Sequence, residues 1–162
     1  MKNIKNLVNY FIDNRLTISA MESCTGGAIT NAITNVPGAS DIIKYSAITY
    51  SNEYKIKMGV NKKIIDKYSV YSIEVANEMS KMITDYTNSD YGIGVTGRLN
   101  RIDKNNISNE NEEANKVYIS IYDKKNKKYY NEKIKVTKKS RIKNKNIVIK
   151  TIIKIFDTKI IK

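Results

Sequence analysis

The serine at position 23 lies in a segment that could present a nucleophile. It follows a short β-prone run, residues 17–21, and it precedes Cys24-Thr-Gly-Gly27 and an apolar pattern with helical spacing. A strand, a tight glycine turn and a helix would place Ser23 beside unpaired backbone N–H groups and the positive end of a helix dipole, which can stabilise an oxyanion. The simpler alternative, which spacing alone favours, is that Ser23 or Thr25 only caps the helix.

The base that would serve such a nucleophile cannot be histidine, because the 162 residues contain none. Cys24 is the only cysteine, so Cys-His pairs and Cys/His zinc sites are excluded together with histidine triads. Lys55 ends the segment Tyr50-Ser-Asn-Glu-Tyr-Lys55 and lies one turn into a predicted short helix. A partly desolvated lysine loses its proton more easily and can activate a serine. By composition alone, Lys55 would be one more solvated surface lysine.

Predicted strands and helices alternate along the chain. Helical spacing predicts helices over residues 3–14, 26–35, 53–58, 72–85 and 147–156, and β-prone runs predict strands over 17–21, 45–50, 91–95, 117–122 and 129–136. This alternation predicts a single α/β domain over residues 1–162, a three-layer α/β/α sandwich in which a hairpin makes the sheet mixed. Thr96-Gly97 also follows a strand, and ligands bind at the carboxyl edge of such sheets, so the three clusters could converge.

The charge of the chain is strongly basic, with 29 Lys and Arg against 16 Asp and Glu. Only four of the basic residues are arginine, and the lysines are spread along the chain, so we interpret the charge as compositional bias and do not expect a nucleic-acid partner. The beginning of the chain has no signal-peptide pattern, and no run approaches the roughly 18 apolar residues of a membrane span. The expectation is a cytoplasmic protein without membrane contact.

Six pieces of the sequence resemble, in order and spacing, the CinA C-terminal domain family. They are Glu22-Ser-Cys-Thr-Gly-Gly27, Val36-Pro-Gly-Ala-Ser40, Tyr50-Ser-Asn-Glu-Tyr-Lys55, Gly59-Val60, Ser72-Ile-Glu74 and Gly94-Val-Thr-Gly97. Standalone members of the family are nicotinamide-nucleotide amidases, which hydrolyse nicotinamide mononucleotide to nicotinic acid mononucleotide and ammonia. The match covers residues 1–97 well, and the chain looks like the standalone form.

The resemblance implies a mixed-sheet α/β/α sandwich, usually assembled as a homodimer, that needs neither cofactor nor metal. It implies that Ser23 is the nucleophile and that Lys55 activates it, with Tyr50 as the third catalytic side chain. Thr25, Gly26, Gly27 and Asn52 would line the site. The substrate-binding residues that we predict also include Thr96, Gly97, Arg98 and Arg141.

The second half of the chain departs from the family pattern. After Thr-Gly the family continues with Ile-Ala-Gly-Pro, whereas this chain reads Arg98-Leu-Asn-Arg-Ile102, and residues 98–115 have the composition of a mobile loop. The family's later Gly-x-Arg segment is reduced to Lys138-Lys-Ser-Arg141 and Lys145. We hypothesise that Arg98 or Arg101 takes over part of the phosphate recognition that backbone N–H groups of a glycine loop would otherwise provide. The alternatives are an exposed arginine in a disordered loop and, for the whole chain, a catalytically impaired relative that binds a nucleotide or a protein partner.

Overall fold

The sheet of the protein is mixed and five-stranded. The computed structural model describes residues 3–99, 115–137 and 140–161. Its strands are β1 (Ile18–Glu22), β2 (Ser46–Ile48), β3 (Tyr91–Gly97), β4 (Lys116–Asp123) and β5 (Lys128–Lys135). Their order across the sheet is β2-β1-β3-β4-β5, with β1 parallel to β2 and β3 and the other neighbouring pairs antiparallel. The predicted mixed sheet with a terminal hairpin is confirmed.

Six α-helices accompany the strands in the described part of the chain. They are α1 (Ile4–Asp13), α2 (Ala28–Thr34), α3 (Asn52–Lys57), α4 (Lys62–Tyr68), α5 (Ile73–Thr87) and α6 (Arg141–Ile155). The sequence analysis does not predict α4, because this helix buries only Ile65 and has no apolar stripe to reveal it. The strand expected over residues 45–50 is confined to β2, since only three residues pair with β1.

Different helices cover the two faces of the sheet. Ile18 and Ala20 of β1 share one core with α1, α2 and α6, whereas Met21 shares a second core with α4 and α5. This division follows from the strand itself, whose successive side chains point to opposite faces. The three-layer α/β/α sandwich that the sequence predicts is confirmed.

The helix beginnings separate α2 from the others. Five of the six described α-helices have an Asn or Ser at the N-cap, whose side chain accepts a hydrogen bond from a backbone N–H of the first turn. They are α1, α3, α4, α5 and α6. The cap position of α2 is Gly27, which has no side chain to offer. The first N–H groups of α2 therefore need an acceptor from elsewhere. None of the described helices is long and apolar enough to cross a membrane.

Candidate active site

Ser23 and Lys55 meet at the carboxyl end of β1. The Nζ atom of Lys55 lies 3.0 Å from the Oγ atom of Ser23, and it also donates a hydrogen bond of 2.7 Å to the carbonyl oxygen of Thr49. Lys55 is only 1% exposed and Ser23 is 8% exposed, so the contact is largely shielded from water. The structure thus brings together the two residues that the sequence analysis selected, and Lys55 is not a solvated surface lysine.

Backbone hydrogen bonds at the strand ends bring the two side chains together. The N–H of Ser23 donates to Val95 in β3, and the N–H of Thr49, just beyond β2, donates to the carbonyl oxygen of Glu22. The Ser51 side chain then caps α3 through Tyr54 N, which starts the helix that carries Lys55. Because β1 is parallel to both neighbours, all three strand ends meet at one edge of the sheet.

The nucleophile turn, residues 23–27, owes its shape to two glycines. Gly26 has a φ of +58° and Gly27 a φ of +89°, in the left-handed region that other residues enter only at a cost. A hydrogen bond of 3.0 Å from the N–H of Gly26 to the carbonyl oxygen of Ser23 closes the turn. Gly26 is exposed, so the outer surface of the turn is accessible to a ligand.

The acceptor for the first N–H groups of α2 is the side chain of Glu22. Its carboxylate accepts hydrogen bonds from the N–H of Gly27 at 3.0 Å, of Ile29 at 3.1 Å and of Thr30 at 2.8 Å, and from the Thr30 hydroxyl at 2.7 Å. This finding corrects two expectations. The amino end of α2 is not open to an oxyanion, and the side chain that caps the helix is that of Glu22, not of Ser23 or Thr25; the remaining N–H, of Ala28, donates to the carbonyl oxygen of Thr25.

Cys24, next to Ser23, is a poor competing nucleophile. Its side chain is buried, and this burial raises the pKa of the thiol from 9.0 to about 12, although the charges of Lys55 and Arg141 act in the opposite direction. Since the thiolate is the reactive form of cysteine, the thiol stays unreactive at neutral pH.

Tyr50 and Arg141 lie together on the surface of the site. The Nη2 group of Arg141 donates to the Tyr50 hydroxyl at 3.2 Å, and the Nη1 group donates to the carbonyl oxygen of Leu99. Arg141 is the first residue of α6 and is exposed, as is the ring of Tyr50. Asn52, half-buried, is the first residue of α3. The structure therefore brings two of these predicted site residues, one from each half of the chain, into direct contact.

Three predicted binding residues have other roles in the structure. The hydroxyl of Thr96 is buried and donates to the carbonyl oxygen of Val70 at 2.9 Å. A Cβ added to Gly97 would lie 2.5 Å from the carbonyl oxygen of Lys116, so this glycine serves the close approach of β3 to β4. Arg98 is 4% exposed, and its guanidinium carbon lies 4.3 Å from the centre of the Tyr71 ring.

These placements revise the predicted binding set. The positions of Thr96 and Gly97 favour roles in packing. Arg98, buried against the ring of Tyr71, also favours a packing role. The expected mobile loop does not include Arg98 and Leu99, which are buried, and Arg101 lies outside the described residues. Thr25, within the nucleophile turn, has a buried side chain, and its hydroxyl has no hydrogen-bond partner among the described residues.

Glu22 is the residue of the site whose role the sequence analysis missed. A detectable signal is the pair Gly26-Gly27 at the start of a predicted helix, which leaves the helix without the usual Ser, Thr, Asp or Asn cap. Glu22 is the acidic residue that ends the buried strand Ile18–Glu22. A buried carboxylate needs several hydrogen-bond donors, and the uncapped N–H groups of the next helix can supply them.

Comparison with known proteins gives the family. The model of the CinA C-terminal domain matches residues 2–158. The chain belongs to the CinA C-terminal domain family. A putative competence-damage inducible protein from Clostridium kluyveri is 48% identical over 87 residues, which cover 53% of this chain and 21% of that protein. A CinA-like protein from Endomicrobium trichonymphae is 38% identical over 115 residues, or 70% of this chain and 26% of that protein. The chain spans about a fifth to a quarter of the length of these curated relatives.

Solved structures of the CinA family share the fold. The competence/damage inducible protein CihA from Agrobacterium tumefaciens superposes with a TM-score of 0.86 at 20% identity, covering 95% of this chain and 91% of that one. A CinA superfamily protein from Klebsiella pneumoniae superposes with a TM-score of 0.87 at 16% identity, covering 97% and 94% of the two chains. The CinA-type sandwich thus persists at low sequence identity.

Proposed function

We propose that the chain is a serine amidohydrolase that releases ammonia from the carboxamide of a nicotinamide nucleotide, with nicotinamide mononucleotide as the substrate. The observation that carries the proposal is the buried contact of 3.0 Å between Lys55 Nζ and Ser23 Oγ. A nucleophile paired with a base within hydrogen-bond reach is the arrangement that acyl transfer requires. Membership of the CinA family and the resemblance of the Ser23 and Lys55 segments to its amidases support the same reaction.

The proposed reaction proceeds through an acyl-enzyme. Ser23 Oγ attacks the carbonyl carbon of the amide while its proton passes to the neutral amine of Lys55. The C–N bond then breaks, and Lys55 returns the proton to the leaving nitrogen, which departs as ammonia. Water hydrolyses the resulting ester through the same base, releasing the carboxylic acid and restoring Ser23. Burial disfavours the charged form of an amine, so the position of Lys55 suits a base that must begin neutral.

The oxyanion of the tetrahedral intermediate needs donors other than the first N–H groups of α2, which Glu22 occupies. The nucleophile turn offers the backbone N–H groups of Cys24 and Thr25. Among the backbone–backbone hydrogen bonds of the described residues, none is donated by these two groups, although the Cys24 N–H also lies close enough to its own sulfur to lower the pKa of that thiol. We assign them to the oxyanion, because fixed backbone donors beside the nucleophile stabilise developing charge without reorganisation.

The phosphate of the nucleotide would bind to cations on α6. Arg141 is exposed and is held against Tyr50 by a hydrogen bond. Lys145 lies one helical turn further, and its Nζ atom is 3.4 Å from the point where a Cβ on Gly26 would lie. Lys145 thus lies near the exposed Gly26 of the nucleophile turn and Arg141 lies beside Tyr50, whereas Arg98 is buried.

The test is the release of ammonia from nicotinamide mononucleotide by the purified chain, followed with nicotinic acid mononucleotide as the second product. We expect equal amounts of the two products and no turnover by the Ser23→Ala variant. Ser23 does not cap α2, so the free energy of unfolding of this variant should lie within about 1 kcal/mol of the wild-type value. A folded protein that binds the nucleotide in a calorimeter but releases no ammonia would contradict the amidase proposal and favour the impaired relative.

A further inference from the structure

Glu22 is a fully buried acid beside the nucleophile that the proposed reaction does not use. Its side chain is 0% exposed, and it forms no ion pair with a described residue. Instead, four donors from Gly27, Ile29 and Thr30 surround the carboxylate. Burying a charge without a counter-ion is costly, so this arrangement needs an account beyond the capping of a seven-residue helix.

The hydrogen bonds of Glu22 fix the far end of the nucleophile turn. At the near end, the N–H of Ser23 is fixed to Val95 of β3, and at the far end the N–H of Gly27 is fixed to the Glu22 carboxylate. Between the two lie the N–H groups of Cys24 and Thr25. Without the carboxylate, the left-handed residues Gly26 and Gly27 would leave this part of the backbone free to change shape.

The backbone of Glu22 also reaches the base. Its carbonyl oxygen accepts from the N–H of Thr49 at 2.8 Å, and the carbonyl oxygen of Thr49 accepts from Lys55 Nζ at 2.7 Å. The side chain of Glu22 therefore binds the turn that carries Ser23. Its main chain binds the strand end that holds Lys55. A shift of about 1 Å in such a pair is enough to reduce catalysis severely.

We propose that Glu22 is a positioning residue, whose buried carboxylate holds the nucleophile turn so that Ser23 Oγ stays in contact with Lys55 and the Cys24 and Thr25 N–H groups face the reacting carbonyl. The proposal rests on the proposed function in one respect, that Ser23 is the reacting group. It does not depend on which amide is the natural substrate.

The experiment measures the reactivity of Ser23 with a fluorophosphonate, in which the serine oxygen displaces fluoride from phosphorus and its proton passes to the base. The rate of labelling is followed by intact-mass spectrometry for the wild type and for Glu22→Gln. The carboxamide of glutamine presents an NH2 group to N–H donors and leaves some of them without an acceptor. We expect labelling to slow by roughly tenfold or more.

Two threonines of α2 provide a matched pair should Glu22→Gln fail to fold. Thr30→Val removes the hydroxyl that donates to the carboxylate, whereas Thr34→Val removes an exposed hydroxyl that donates only to backbone carbonyls of α2. We expect Thr30→Val to slow labelling roughly two- to tenfold and to lower kcat for nicotinamide mononucleotide without raising KM. Thr34→Val should label at the wild-type rate.

The outcomes separate positioning from simple stabilisation. The proposal is wrong if Thr30→Val and Glu22→Gln lower only the melting temperature. In that case Ser23 of both variants would be labelled at the wild-type rate at temperatures well below thermal unfolding. It is also wrong if the wild-type Ser23 does not react, since no activated nucleophile then exists to be positioned. Labelling of the wild type without ammonia release would contradict the amidase proposal alone and leave the comparison of variants decisive for Glu22.

Discussion

At the residue scale, the site depends on a single short contact between an amine and a hydroxyl. The two lysines of α3 differ in burial and in partners: Lys55 is 1% exposed and contacts Ser23, whereas the side chain of Lys57 is 57% exposed and pairs with Glu53 on the surface. The helix therefore holds one lysine in the protein interior and another in solvent. Any catalytic role for Lys55 must show in a direct comparison of the two.

We predict that Lys55→Met lowers amide hydrolysis by about 10²–10⁴-fold, the usual contribution of a general base. Lys57→Met, which removes the same charge from an exposed position, should leave the rate unchanged and alter stability by less than about 1 kcal/mol. The measurement is kcat for both variants, with circular dichroism to establish that each is folded. Equal rates in the two variants would exclude Lys55 as the base.

The raised pKa of Cys24 leads to a second prediction at this scale. Burial raises the pKa of the Cys24 thiol from 9.0 to about 12. The folded protein should therefore resist alkylation by iodoacetamide at pH 8, whereas the unfolded chain should react. Mass spectrometry before and after addition of urea measures the difference. The folded state gains stability from the protonated thiol below pH 9.0 and loses it as the pH rises toward 12. Rapid alkylation of the folded protein with loss of amidase activity would implicate the thiol in the proposed chemistry.

At the element scale, α5 lies so close to β3 that a side chain at position 94 would collide with the backbone of the helix. A Cβ on Gly94 would lie 2.2 Å from the carbonyl oxygen of Ala76 and 2.6 Å from the nitrogen of Ser80. The hydroxyls of Ser80 and Ser120 meet at 2.9 Å in the same layer. Close contact of this helix with the sheet fixes the end of β3, where Val95 accepts from Ser23.

We predict that Gly94→Ala lowers the free energy of unfolding by about 2–3 kcal/mol or more, because backbone atoms of α5 cannot move aside as a flexible side chain can. Gly26→Ala is the matched variant. Its Cβ would meet only Lys145 Nζ at 3.4 Å, so its cost should be about 1 kcal/mol, from the positive φ alone. Urea unfolding of both variants provides the measurement, and a Gly94→Ala protein as stable as Gly26→Ala would contradict this account of the packing.

At the scale of the whole molecule, exposed apolar side chains gather around the edge strand β2. Tyr45, Ile48, Tyr50 and Tyr54 are between 44% and 63% exposed, and the outer edge of β2 has no partner strand among the described residues. An edge strand with apolar surroundings is a common site of association between chains. The homodimer that the family resemblance implies remains a prediction, and this edge is where we expect the contact.

We predict that light scattering gives twice the chain mass of 18.5 kDa at micromolar concentration. Ile48→Lys, which places a charge on the edge of β2, should shift the protein toward the monomer. Ile142→Lys alters an isoleucine on α6 that is even more exposed, 72% against 57% for Ile48, and should not. A monomer at every concentration, or dissociation caused only by Ile142→Lys, would overturn the prediction.

Local sequence patterns determined much of this protein. Ser72 and its following apolar spacing predict the start of α5, and Val117–Tyr122 with its partner run predicts the hairpin of β4 and β5. The segments around Ser23 and Lys55 indicate the family before any coordinates are known, and they predict the Ser23–Lys55 pair that the structure brings together. These features depend on neighbours within one turn or one strand, which is the range over which periodicity and capping are encoded.

Tertiary structure alone decided how the remaining residues are used. Glu22 caps α2 from outside the helix, because a glycine occupies the cap position and β1 ends where its carboxylate can reach the first turn. Thr96 and Arg98 look like ligands in sequence, yet their side chains meet Val70 and Tyr71, which lie more than twenty residues away along the chain. A polar side chain takes whichever partner packing brings within reach. Distances of that kind between elements are set by the packing of the layers and not by any pattern within one segment.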